Sequence, residues 1–256
     1  LKVFGVLDLG DRHTSTTLVG TGFSDATDQW DASFSLAYGD PVKDLAGKPF
    51  SSFGLAAEIA GPAPDSGRIL NRLSARGSLA AWPLGNSGRH QFALGMEYDY
   101  FSNPATEYGG QSVVAGVVSV FGDSASAVHV QTNVMLNGVI IGATKSDYYQ
   151  TLEGRNYDYG PGLGAIVNAR LFYKERLQAN LSYFGLWTNT IDGTNSDHYQ
   201  DAIAVEARYW ATERWGGGVS VTRYSRHSNY AGAPDVSQEA SFVRAFVSTA
   251  FPRVPQ

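Results

Sequence analysis

Few residues in this chain have the means to do chemistry. His13-Thr14-Ser15 sets an imidazole and a hydroxyl two positions apart, with Asp11 just before them. On a strand that spacing puts both on one face, where the imidazole can take the proton of an attacking hydroxyl, as acyl hydrolysis requires. The triplet opens a polar stretch, Asp11 to Trp30, rich in Thr, Gly and Asp, which reads as a long loop. No third group to orient the histidine is assigned, and a loop histidine is the plainer reading. Asp192, Asn195, Asp197 and Asp201 supply oxygen ligands of the kind calcium takes, but not at EF-hand spacing, and turn formation explains the segment as well. Gly160-Pro161-Gly162-Leu163-Gly164 would cradle a phosphate only if a helix followed, and an alternating strand pattern follows instead. Asn180-Leu181-Ser182 fits the glycosylation pattern but lies mid-strand. No pair of histidines has metal spacing: His90 sits at a strand start, His129 in a polar row, and His198 and His227 in segments read as loops. No cofactor is expected.

Composition narrows the partners. A net charge of -5 offers no basic footprint for nucleic acid, and a chain without Cys has no disulfide or thiolate metal site. Only 17% of residues are charged, against about 25% in ordinary soluble domains. Lys occurs only at positions 2, 43, 48, 145 and 174, at the chain start or in segments read as loops or turns. No apolar run approaches the roughly 18 residues of a membrane helix, yet Gly, Tyr and Phe are abundant, as suits sheets with close approaches and aromatic belts.

The elements that must position these residues are strands. The clearest signal runs from Ala165 to Trp187. Ala165, Val167, Ala169, Leu171 and Tyr173 alternate with Asn168 and Arg170; after Lys174-Glu175-Arg176, Leu177, Ala179, Leu181, Tyr183 and Trp187 alternate with Gln178, Asn180 and Ser182. Folding the two antiparallel sets Arg170 opposite Asn180 and Asn168 opposite Ser182, a hairpin with one apolar and one polar face. The same rhythm recurs. Arg72, Ser74 and Arg76 alternate with Leu73 and Ala75, and Gln91, Glu97 and Asp99 with Phe92, Leu94, Met96 and Tyr98. Closing that hairpin over Pro83 to Gly88 puts Arg72 level with Asp99 and Arg76 diagonal to Glu97, as structural ion pairs or as a selectivity element. His129, Gln131, Asn133 and Asn137 form a neutral polar row, and Glu206, Arg208 and Arg244 continue the polar face toward the C-terminus.

Alternation alone allows a sandwich with its apolar faces inward or a membrane barrel with them outward. The connections decide. Those at Pro83 to Gly88, Gly122 to Ala125, Lys174 to Arg176 and Ala211 to Arg214 are short; those at Ala143 to Gly160, Thr188 to His198 and His227 to Ser237 are long. Short turns at one rim and long loops at the other belong to an up-and-down transmembrane antiparallel β-barrel of about twelve strands, one domain throughout. Trp82, Tyr100, Phe121, Tyr173, Trp187, Tyr209, Trp215 and Phe251 gather near strand ends, as interfacial girdles do.

Over most of its length the chain resembles bacterial outer-membrane β-barrel proteins. More narrowly, Tyr38-Gly39-Asp40-Pro41, Lys48-Pro49-Phe50, Gly109-Gly110-Gln111-Ser112, Tyr157-Asp158-Tyr159-Gly160-Pro161-Gly162 and Asp192-Gly193-Thr194-Asn195-Ser196-Asp197-His198 resemble the barrel portion of a group known only as a domain of unknown function. That resemblance implies a fold and a membrane, and no activity. Pro252 to Gln256 follow Phe251, a departure from a terminal aromatic closing strand.

On this reading Arg72, Arg76, Gln91, Glu97, Asp99, His129, Gln131, Asn133, Asn137, Asn168, Arg170, Gln178, Asn180, Glu206, Arg208 and Arg244 line the lumen. Two roles fit: a narrow channel for small polar solutes, or a closed structural barrel whose outer loops bind a partner, singly or within a larger envelope assembly. Outer-membrane lipid and lipopolysaccharide would surround it. The enzymatic alternative is lipid acyl hydrolysis through His13 and Ser15, which resembles the His-x-Ser pair of outer-membrane acyl hydrolases.

Overall fold

The computed structural model describes residues 3–38, 53–60, 70–102, 106–122, 126–146, 160–174, 176–189, 196–230 and 234–251. They form twelve strands: β1 (Val3–Val19), β2 (Phe23–Tyr38), β3 (Phe53–Ala60), β4 (Leu70–Pro83), β5 (His90–Ser102), β6 (Thr106–Phe121), β7 (Val128–Ser146), β8 (Gly160–Tyr173), β9 (Leu177–Asn189), β10 (Ser196–Trp210), β11 (Trp215–Tyr230) and β12 (Val236–Phe251). Each strand pairs antiparallel with its sequence neighbours, and β1 pairs with β12, so the sheet closes on itself and leaves no open edge. The closing strand ends at Phe251, opposite Gly5.

Alternation now has a direction. On β12, Val243, Val247 and Phe251 are each half or more exposed, while Ala240, Phe246, Ser248 and Ala250 are buried. The same split separates Leu181 and Trp187 from Leu186 and Thr188 on β9, and Tyr209 from Trp210 on β10. The exposed set is the convex face of the barrel, and it is apolar. Val243 to Phe251 is nine residues, which at about 3.3 Å each and a tilt near 40° cover roughly 20 Å of membrane normal. Trp82, Phe121, Tyr173, Tyr209, Trp215 and Phe251 mark the rim of the short turns, and Trp30, Trp187 and Tyr199 the other.

The strands run further than their apolar residues. Asp11 to Trp30 is a hairpin, in which β1 and β2 pair from Val3 opposite Tyr38 to Leu18 opposite Phe23 and turn at Gly20-Thr21-Gly22. Both glycines have positive φ, 85° and 75°, which L side chains resist. The segment read as a loop because its outward residues are Thr, Asp and Ser; above the hydrocarbon nothing requires them to be apolar, while the backbone ladder continues regardless. Likewise β9 reaches Asn189, β10 starts at Ser196, β11 reaches Tyr230 and β12 starts at Val236, so His198 and His227 lie in strands rather than loops. β5 and β6 end and begin at Ser102 and Thr106, and β7 reaches Ser146, each closer to its neighbour than the polar composition suggested.

One register also differs. Arg170 faces Asn180 and Asn168 faces Ser182. In the β4–β5 hairpin, however, Arg76 faces Glu97 directly, Ser74 faces Asp99 and Arg72 faces Phe101, because the turn closes with Pro83 opposite Gln91 rather than Gly88. A one-residue register shift between Ser78 and Ala80 takes up Leu79 and offsets part of that difference.

Candidate functional site: the barrel interior

The interior is built from one residue in two on every strand. A continuous cross-strand row runs Gln131, Arg170, Asn180, Glu206, Ser220, Arg244 and Arg12 over β7 to β1, each opposite the next, and every member is polar. One step toward the short-turn rim runs His129, Phe172, Gln178, Arg208, Gly218, Phe246, Gly10 and Asp31.

Where the chain ends meet, these rows hold a chain of charges. Arg208 Nη2 donates to Asp8 Oδ2 at 2.7 Å and lies 3.2 Å from Glu206 Oε1. Arg244 Nη1 is 4.0 Å from the same Asp8 oxygen. Arg244 Nε lies 2.7 Å from both carboxylate oxygens of Asp31, and its Nη2 donates to Ser33 Oγ at 3.2 Å. The order Glu206–Arg208–Asp8–Arg244–Asp31 alternates in sign. It joins β10, β12, β1 and β2 without a residue from β11, which only a crossing through the concave side permits. The Asp31 side chain is 0% exposed and those of Arg208 and Asp8 about a tenth, so these pairs are held away from solvent. Three carboxylates against two guanidiniums leave the chain one formal negative charge.

Phe246 is the spacer in this chain. Its ring lies under both guanidiniums, 4.9 Å from Arg208 and 4.7 Å from Arg244, using the attraction of a cation for an aromatic face. Room for the ring comes from Gly218 on β11, where a Cβ would stand 2.7 Å from Phe246 Cζ and 2.3 Å from the Ala207 carbonyl. Beyond Arg208, Trp210 is 2% exposed and packs with Val6 and Ala250 toward the short-turn rim.

On the opposite wall, β5 to β9, the interior residues with described side chains are mostly uncharged, Arg170 being the exception. Gln91 and Gln131 are buried, and His129, Asn133, Asn168, Gln178 and Asn180 are half-buried. Gln131 Oε1, Asn133 Oδ1 and Asn180 Oδ1 are buried without a hydrogen-bond donor among the described residues. Arg170 is exposed. Ala93, Val118, Val120 and Met135 form an apolar strip beside this wall. Near the outer end, buried His198 Nδ1 lies 2.8 Å from Ser228 Oγ, and Tyr224 donates to Gln200 Oε1 at 3.2 Å.

Of the remaining residues singled out from sequence, Arg72, Arg76, Glu97, Asp99 and Asn137 have described backbones, but their side chains lie outside the described residues, as do Asp192 and Asn195 altogether. Asp197 stands in β10 and accepts a hydrogen bond from Asn189; Asp201 accepts one from Ser225. His13 and Ser15 are on the convex face of β1, where His13 Nδ1 is 2.7 Å from Asp28 Oδ1 on β2. A third group is therefore present, and it is Asp28 rather than the neighbouring Asp11. Asp8, Arg12, Asp31, Phe246 and Trp210 were not singled out from sequence. Asp8, Gly10 and Arg12 do alternate with Leu7 and Leu9, a signal obscured by the Phe4, Val6 and Leu7 cluster.

No family model matches the chain, and no curated protein matches it. Solved structures similar to it include a porin named KdgM, at 10% identity and a TM-score of 0.39 over 95% of this chain and 99% of that one. An outer membrane channel from Pseudomonas putida F1 shares 10% identity with a TM-score of 0.47, covering 97% and 95%. An anion-selective porin from Comamonas acidovorans shares 10% with a TM-score of 0.33, covering 98% and 99%. At such distances these are likenesses of fold. The chain's own geometry defines the class: a closed antiparallel barrel with an even strand count, an apolar convex band bounded by aromatics and a polar concave face is a transmembrane β-barrel. Its even strand count is that of the single-chain barrels of bacterial outer membranes.

Proposed function

We propose that the barrel is a narrow channel for small polar solutes, and that the Glu206–Asp31 charge chain sets the ionic preference of its wall. The observation that carries this reading is the uninterrupted polar row from Gln131 to Arg12 across seven adjacent strands. A barrel filled only for stability has no use for such a row, since buried polar groups cost free energy wherever they lack partners. Lipid and lipopolysaccharide are its surroundings in this reading, and no protein partner is required.

Single-channel recording in planar bilayers tests it. Wild-type protein should give discrete conductance steps. Glu206→Gln removes one formal negative charge from this wall, so the reversal potential in a salt gradient should shift toward anions. Silent bilayers containing folded protein would overturn the channel and favour a closed structural barrel.

A further inference from the structure

His13, Ser15 and Asp28 are not used by a channel. All three belong to the convex face of the β1–β2 hairpin, just beyond the aromatic girdle. Trp30 faces Asp11 there, and His13 faces Asp28 one pair of outward residues further out. His13 and Asp28 are both largely exposed, so the ion pair contributes little to stability. Its geometry is that of a base and its orienter. With Nδ1 committed to the carboxylate at 2.7 Å, Nε2 is the nitrogen left to act on a hydroxyl. Ser15 lies two residues along the same face, about 7 Å away by strand rise, so the imidazole has to turn along the strand to bring Nε2 to that hydroxyl. Its cross-strand neighbours are Ala26 and Ser241, both small, which leaves its hydroxyl uncrowded from either side. Ser241 also faces Arg223, whose side chain is 69% exposed on the same face.

We infer that Asp28, His13 and Ser15 form an acyl-transfer site on the outer surface of the barrel, acting on acyl esters of phosphate-bearing lipids in the outer leaflet. The three groups have the roles of orienter, base and nucleophile, and they stand where lipid head groups and ester bonds lie. Ser15 Oγ attacks the ester carbonyl carbon while His13 Nε2 takes the hydroxyl proton. The bond from carbonyl carbon to alkoxide oxygen breaks, and the proton passes to that leaving oxygen, giving the lipid alcohol and an acyl-serine. Water, deprotonated by the same nitrogen, then cleaves the acyl-serine to a fatty acid and restores Ser15. Arg223, whose Nη2 lies 3.5 Å from Glu239 Oε1 in an exposed and therefore weak pair, supplies a cation for the lipid phosphate by turning away from that carboxylate. None of this depends on an open lumen.

The test uses the whole chain, refolded in detergent and in vesicles, with folding of each variant checked by its unboiled electrophoretic mobility. A fluorophosphonate probe should label the wild type and leave Ser15→Ala unlabelled, and Asp28→Asn should slow labelling by about 100-fold or more. Phosphatidylglycerol vesicles and lipopolysaccharide-containing vesicles are assayed separately for released fatty acid, and release in either one identifies the lipid source. Folded wild type that takes no label and releases no fatty acid in either vesicle would overturn the inference. So would labelling that persists in Ser15→Ala, and labelling unchanged in Asp28→Asn would remove Asp28 from the site.

Discussion

The two walls of the interior solve the same problem in opposite ways. Between β10 and β2, five charged groups are tied into an alternating chain around Phe246, each with an oppositely charged neighbour within 4.0 Å. Between β7 and β9, most of the polar interior residues are amides, with Arg170 the charged exception, and three of the amide oxygens are buried without a donor among the described residues. The difference follows from where the barrel closes. β1 and β12 are the first and last strands, so their pairing is the most distant in sequence, and joining distant segments carries a loop-closure entropy that local hairpins do not. Ion pairs crossing from β10 to β1 and from β12 to β2 stabilise that seam. The hairpins β7–β8 and β8–β9 form from adjacent segments and need no such fastening.

Breaking the seam should therefore have the largest effect. Asp31→Asn keeps the shape and removes a fully buried charge from Arg244, so urea titration in lipid vesicles should show a loss of about 3 kcal/mol or more. Gly218→Val comes next: its Cβ has no room between the Ala207 carbonyl and Phe246, and the same titration should show a loss of about 1–3 kcal/mol. The amide wall should respond least. Gln131→Met replaces an amide whose oxygen has no donor with a side chain of similar length, and stability should change by less than about 1 kcal/mol, with any change in the stabilising direction. A loss at Gln131 equal to that at Asp31 would erase the distinction between the walls.

Parts of this site were legible in advance. Arg170 opposite Asn180 follows from counting residues around a three-residue turn, because a hairpin's register is local. Glu206, Arg208 and Arg244 are marked as a polar face by their apolar neighbours. Their partners were not, because Asp8 and Asp31 lie in segments whose pattern was masked, the first by apolar residues on both faces and the second by the polar hairpin above the membrane. The β4–β5 register shift at Leu79 has no signature in alternation, which only reveals that a phase was lost somewhere. Asp28 has no signature in sequence, because the polar composition of the hairpin that sets it opposite His13 is that of a loop.

What the amino-acid order settles alone is periodic and near in sequence: strands, their two faces, the short turns and hence the membrane barrel, since each depends on residues two apart or on one hairpin. What closure decided is which distant charges meet. Asp8 and Arg208 are 200 residues apart, and Asp31 and Arg244 are 213 apart. No local pattern pairs them. Their contact exists only because the sheet curves until its first and last strands share hydrogen bonds, and the concave side then becomes narrow enough for side chains to reach across.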